Sequence, residues 1–232
     1  MRACSAFFTT ALWLACLCFR PIALHAQDPE SNKSKRKPFM VPPFSVGVGL
    51  AATWYSGDLR TNSPYAGLHA AVWIQGRKRV QPGFQIGLGS FAAEDRSLPM
   101  QQGIQPNTFV QTSFWYGDLR LRLRFRRESH AIRPYLCFGW GILTFTPTDR
   151  EGNPLASQPE TRGTTESYVG STAYIPLGLG TTYRFSQLLT FSLELNRMFA
   201  FTPYLDNINK LGRTRTNDAL NNLQTAVHFR IR

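Results

Sequence analysis

The sequence predicts an all-β protein: an eight-stranded antiparallel transmembrane up-and-down β-barrel with a plugged lumen. Three observations predict it. First, Leu119, Leu121, Leu123 and Phe125 alternate strictly with Arg120, Arg122, Arg124 and Arg126. A period of two belongs to a strand, whereas a helix would scatter the four arginines around its circumference. Second, eight such segments recur, each with one apolar face and one face of small or polar residues. Third, the connections between them alternate between short and long, the pattern of an outer-membrane barrel with tight turns at one end and larger loops at the other.

The N-terminus precedes the barrel and is of a different kind. Arg2 is followed by an almost wholly apolar run from Ala3 to Phe19, then by Leu24-His25-Ala26 ahead of Gln27. The run falls short of the ~20 apolar residues of a spanning helix. Residues 1–26 are therefore expected to be a cleaved export signal, with the cell outer membrane as the destination. Residues 27–43 carry Lys33-Ser34-Lys35-Arg36-Lys37 among prolines and polar residues. They have too few apolar side chains to fold alone and read as a flexible basic tether on the periplasmic side. The barrel domain is expected over 44–232.

Composition agrees with a β-rich chain. Charged residues are 17% and aromatics 13%, with 18 glycines. Cys4, Cys16 and Cys18 leave with the signal, so Cys137 stands alone, with no disulfide and no cysteine metal site. No metal-ligand spacing and no phosphate-cradling glycine loop appears, and no cofactor is expected. The net charge of +12 raises nucleic acid as a partner, but no nucleic-acid-binding motif is present and the chain is exported. Outer-membrane lipid is the expected partner, and nucleic acid is not.

The strands follow in order. Strand one, Phe44 to Tyr55, sets Phe44, Val46, Val48 and Leu50 against Ser45, Gly47, Gly49 and Ala51. Strand two, Ala66 to Gln75, groups Leu68, Ala70, Val72 and Ile74. Strand three, Gly83 to Phe91, sets Phe84, Ile86 and Leu88 against Gln85, Gly87 and Gly89. Strand four, Phe109 to Arg127, holds the arginine row. Strand five, Arg133 to Thr146, groups Leu136, Phe138, Trp140 and Ile142. Strand six, Tyr174 to Phe185, groups Ile175, Leu177 and Leu179. Strand seven, Leu189 to Arg197, sets Phe191, Leu193 and Leu195 against Ser192, Glu194 and Asn196. Strand eight, Leu220 to Arg232, groups Leu223, Val227, Phe229 and Ile231. Each is near the ~9–11 residues of a tilted spanning strand. Trp54, Tyr55, Trp115 and Tyr116, near strand ends, suit an interfacial girdle.

An eight-stranded lumen has room only for packed side chains. Arginines inside it need partners, because an uncompensated buried charge is costly. Asp118 shares their face by parity, and Glu194 is the acid that strand seven turns inward. The sequence therefore predicts a luminal charge network of Arg120, Arg122, Arg124 and Arg126 with Asp118 and Glu194, helped by Gln85, Gln224 and tyrosines. The competing soluble architecture, a lipocalin-like ligand-binding barrel, would reverse the two faces.

An enzymatic reading rests on Glu128-Ser129-His130, the only local Ser/His/carboxylate cluster, which suits a barrel that modifies lipid A. Neighbours in a turn seldom converge as a triad, so no catalytic residue is assigned. In the last long loop, Asp206 and Asp218 with Asn207, Asn209 and Asn217 could surround a cation, as could Asp58 at the first loop. Solvated loop polarity is the favoured reading, and no metal is assigned.

Two segments look alike, Trp54-Tyr55-Ser56-Gly57-Asp58-Leu59-Arg60 and Trp115-Tyr116-Gly117-Asp118-Leu119-Arg120. The last loop adds Phe201-Thr202-Pro203-Tyr204-Leu205-Asp206-Asn207-Ile208. Together these motifs resemble the small outer-membrane barrels of the Bacteroidota, in particular the PorG-like family associated with type IX secretion. The resemblance covers about 44–232. It implies a non-enzymatic barrel with a structural or interaction role, periplasmic secretion-machine proteins as partners, and Tyr204, Asp206 and Asn207 as a loop motif.

Overall fold

The computed structural model describes residues 43–59, 61–75, 79–97, 107–125, 130–158, 169–208 and 217–231. The expected signal and, apart from Pro43, the tether lie outside these, as do Arg126, Glu128, Ser129 and Asn209.

Alternating sequences form eight strands: β1 (Phe44–Ser56), β2 (Thr61–Ile74), β3 (Val80–Glu94), β4 (Phe109–Arg124), β5 (Ile132–Thr148), β6 (Ser171–Arg184), β7 (Leu189–Ala200) and β8 (Ala219–Ile231). Each pairs antiparallel with the next, and β1 pairs with β8 from Phe44 opposite Ile231 to Ser56 opposite Ala219. The sheet is a closed barrel without edges. Residues 75–79, 125–131 and 185–188 connect strands at the turn end, where Phe44 and Ile231 also lie. Residues 57–60, 95–108, 149–170 and 201–218 connect them at the loop end.

The first loop-end connection is shorter than the sequence suggests. Strand β2 begins at Thr61 rather than at Ala66. Thr61-Asn62-Ser63-Pro64 lacks alternation, but its backbone finds partners in β3, with Thr61 opposite Glu94 and Pro64 opposite Phe91. The register shifts between Pro64 and Leu68, where proline has no N–H to give the ladder. Pairing to a neighbour, not local patterning, makes this stretch a strand.

Parity decides the faces. Leu119 is 64% exposed while Arg120 beside it is 1% exposed. Leu50, Leu68, Leu88, Trp140, Leu179 and Leu195 project outward in the same way from other strands. This apolar belt around buried charges is the reverse of a soluble barrel and the arrangement of one immersed in lipid. The expected aromatic girdle needs correction. Trp115 points outward, but Tyr55 and Tyr116 are 1% and 2% exposed inside the lumen. Adjacent residues of a strand face opposite ways, so a Trp-Tyr pair cannot be a girdle together.

Glycine on the inner face makes space for bulky luminal side chains. A methyl group at Gly83 would lie 2.3 Å from Cε3 of Trp73. One at Gly180 would lie 2.5 Å from the Tyr135 ring. Cys137 also points inward and is fully buried. It should resist a maleimide in the folded barrel and react stoichiometrically once the barrel is boiled in detergent; mass spectrometry of the labelled chain reads both states.

Candidate functional site: a layered lumen under a latched cap

The lumen is built in layers. At its centre, Arg120 donates through Nε and Nη2 to the two carboxylate oxygens of Asp118 (2.6 and 2.9 Å). Its Nη1 donates to Glu194 Oε1 at 2.7 Å. Arg122 donates through Nη2 to Glu194 Oε2 at 3.3 Å, and Tyr135 donates to the same oxygen at 2.8 Å. Tyr174 donates to Asp118. Gln85 spans the lumen to Gln224 Oε1 and also reaches the Tyr116 hydroxyl, each at 3.0 Å. Arg122 packs on two rings, its Cζ 3.6 Å from the Trp73 centroid and 4.5 Å from that of Tyr135. Arg124 is buried on the same face, nearer the turn end. Two carboxylates thus hold two arginines in a desolvated interior, where bidentate geometry and extra hydrogen bonds offset the loss of water.

Toward the loop end the interior is apolar. Tyr55, Phe91, Phe114, Tyr116 and Tyr174 form a chain of rings with centroid spacings of 5.1 to 6.4 Å. Leu143, Phe145, Met198 and Leu220 pack around them. The arginine row is therefore only half of the plug. The sequence hides the other half because luminal Tyr, Phe and Met alternate with an equally apolar outer face, which leaves no polar contrast to read.

A cap closes this end. The loop segment 201–208 turns inward, and Leu205 and Ile208 join the apolar layer. Asn207 has φ 68°, a left-handed conformation that asparagine tolerates. Thr112 Oγ1 donates to the Leu205 carbonyl at 2.7 Å, and Asn107 Nδ2 to the Asp206 carbonyl at 3.0 Å. The solvated reading of Asp58, Asp206, Asn207 and Asp218 is corrected here: all four are buried. Tyr204, the remaining residue of the loop motif, is half-buried against the core. The polar side chains tie the loop down instead of coating it.

The latch has a protonic signature. The Tyr55 hydroxyl lies 2.7 Å from Asp206 Oδ2 and 2.6 Å from Asp218 Oδ1, and it accepts the Asp58 backbone N–H at 3.0 Å. One hydroxyl hydrogen cannot serve both carboxylates, so one of the two acids carries a proton and donates it. Asp206 Oδ1 accepts from Ile208 N and Asp218 Oδ2 from Leu205 N, each at 2.9 Å. Burial, then the neighbouring Asp218, pushes Asp206 well above the usual carboxylate range. Burial, with Asp58 adding to it against the Tyr55 hydrogen bond, raises Asp218 to about 7. A carboxyl raised in the folded state stabilises it fully below the unfolded value. That contribution is lost as pH climbs to the folded value. The protection factor of the amides in 201–208, after division by the intrinsic base-catalysed rate, should therefore fall by roughly tenfold per pH unit between about 4 and about 7. Asp218→Asn should flatten that dependence; an unchanged slope in the variant would disprove the shared proton.

Among the described residues the histidines do not assemble a catalytic centre. His130 is exposed at the turn end, and His69 is buried in the lumen. His228 Nε2 sits 2.9 Å from Ser192 Oγ, a pair the sequence analysis did not find because the two residues lie on different strands. Both are buried in the lumen, and His228 Nδ1 has no partner, so no carboxylate orients the ring as a triad requires. Among the described residues no three His, Cys, Asp or Glu side chains are grouped to hold a metal ion.

No family model and no curated protein matches the chain. Solved structures do resemble it. Neisserial surface protein A is 11% identical with a TM-score of 0.49, covering 81% of this chain and 97% of that one. The attachment invasion locus protein Ail of Yersinia pestis is 10% identical with a TM-score of 0.48, covering 83% and 100%. The outer membrane protein OprG of Pseudomonas aeruginosa is 10% identical with a TM-score of 0.48, covering 82% and 96%.

Proposed function

We propose that the chain is a non-enzymatic outer-membrane β-barrel with a structural or interaction role, serving as an accessory of the type IX secretion machinery. The observation that carries the membrane reading is the outward belt: leucines and aromatics on every strand, around a lumen filled from its centre to its cap. Such a wall is stable in hydrocarbon and would aggregate in water. A filled lumen leaves no aqueous path, so the role falls to surfaces, namely the loop end outside and the turn end facing the periplasm. The secretion assignment rests on the motif resemblance around Asp58, Asp118 and Tyr204-Leu205-Asp206, and its partners are periplasmic proteins of that machine. The lipid A enzyme has no observation in its favour, since neither His69 nor His228 reaches the loop rim.

The test is made in cells. The mature protein is expected only in outer-membrane detergent extracts, with a gel mobility that changes on boiling. In-cell crosslinking is expected to recover a periplasmic or outer-membrane component of the secretion apparatus. Recovery in the aqueous fraction would sink the membrane reading. A membrane barrel crosslinked to nothing from that apparatus would sink the accessory role alone.

A further inference from the structure

We propose that the outer wall of the barrel carries a binding site for a phosphorylated lipid, with the phosphate on Arg197 and the acyl chains in an apolar groove beside it. The site presupposes the membrane reading and adds a ligand to it. Strand parity turns Arg197 of β7 outward, where it is exposed. It stands in a row of directly paired residues with Asn221 of β8 and Trp54 of β1. This row and three leucines, Leu136, Leu179 and Leu195, line a groove of about 460 Å³, within the ~300–1,000 Å³ of small-ligand pockets. The leucines pair with one another across β5, β6 and β7, one same-face position nearer the turn end than Arg197. The groove therefore has a polar edge on its loop-end side and an apolar trough toward the middle of the wall.

Among the described residues Arg197 has no carboxylate partner. Its Nη2 donates to Ser56 Oγ at 3.2 Å, and its Cζ lies 5.3 Å from the Phe199 centroid. Ser56 and Phe199 both lie nearer the loop end than the row of Arg197, so the guanidinium leans toward that end. Arg197 is three residues from the loop-side end of β7, about 10 Å along a strand. At that depth a long cationic side chain reaches the headgroups while its stem stays in hydrocarbon. Asn221 and Trp54 beside it make no side-chain hydrogen bond among the described residues, which leaves their N–H groups to donate to the same headgroup. The planar fork of an arginine suits phosphoryl oxygens, and such charge-assisted bonds are the strong ones. Charge decides between occupants. The acids of β1–β8 are Asp118 and Glu194, inside the lumen, and Glu94, which Arg96 and Arg150 engage. A second copy of this wall thus offers Arg197 no free carboxylate, whereas a phosphorylated lipid brings a negative charge to the right depth on chains that match the trough.

The experiment uses the full mature chain folded in an uncharged maltoside detergent. Native mass spectrometry follows its titration with dioleoyl phosphatidic acid, with dioleoylglycerol (the same chains without phosphate) and with glycerol 3-phosphate (the headgroup without chains). Phosphatidic acid is expected to saturate the barrel at one molecule per chain, and to bind roughly tenfold or more tighter than either control. Arg197→Gln should weaken it by roughly tenfold, as the loss of charge-assisted hydrogen bonds implies. Asn221→Leu, at the same edge, should weaken it several-fold. Both substitutions lie on the outer wall, so both variants should keep the heat-modifiable gel mobility of the parent. Equal uptake of dioleoylglycerol, equally tight glycerol 3-phosphate, or full affinity in the folded variants would overturn the site. So would a dimer of the parent that Arg197→Gln dissociates, since the wall would then belong to a second copy. A barrel that folds in detergent but fails these tests loses the site and keeps the membrane reading; a chain that is folded and soluble without detergent loses both.

Discussion

Glu194→Gln is expected to lower the stability of the folded barrel by about 3–5 kcal/mol, the range for removing one partner of a buried ion pair. Glu194 accepts from Arg120, Arg122 and Tyr135 at once. A glutamine has the same shape, but its amide nitrogen would turn a donor toward this set of donors and leave Arg120 and Arg122 to share the charge of Asp118. Urea unfolding in micelles, followed by the loss of the fast-migrating folded band, reads the change. Arg122→Gln should cost less in the Glu194→Gln background than in the parent, because the two side chains interact directly. Equal costs in both backgrounds would show that the pair is not coupled.

Leu119→Arg should be almost as severe, and for the opposite reason. Leu119 is 64% exposed on the outer wall, next to the buried Arg120. An arginine on the lipid face of a barrel costs about 2–4 kcal/mol near the bilayer midplane. Insertion into vesicles should slow and the folded fraction fall, while the same variant in a water-exposed wall would be neutral. Leu119→Ala gives the control, since it keeps the wall apolar. Glu194 inside on β7, intolerant of losing its charge, and Leu119 outside on β4, intolerant of gaining one, measure the sidedness of the barrel wall.

Much of the fold was legible because a strand's period is two and the outer face is apolar throughout. The Leu/Arg alternation of β4 reports its orientation directly, and the parity of Asp118 and Glu194 follows from it. Gln85 and Gln224 were legible for the same reason. What lay hidden was set by neighbours in space. Thr61 to Pro64 becomes a strand because β3 offers partners. Trp73 is luminal, but it adjoins Val72 and Ile74 and disappears into an apolar run. The cap was misread because Asp206, Asn207 and Asp218 have the composition of a wet loop, and only Leu205 and Ile208 between and beside them hint that the segment folds inward. The Ser192–His228 contact joins residues 36 apart in sequence, for which no local pattern exists.

The contacts that fill the lumen join distant parts of the chain. Arg120 and Glu194 are 74 residues apart, Gln85 and Gln224 139, and Tyr55 and Asp206 151. Each hairpin can form its own ladder, but none can complete its inner face alone. Loop-closure entropy must be met before any of these interior contacts rewards it. Assembly is therefore all-or-none: β1 supplies Tyr55 early in synthesis, yet its carboxylate partners arrive only with the last loop and the approach to β8. A chain halted before that point would hold an open sheet with an aromatic surface at one end and a cationic one at the other. The molecule has no stable half, and its folding waits for its final strand.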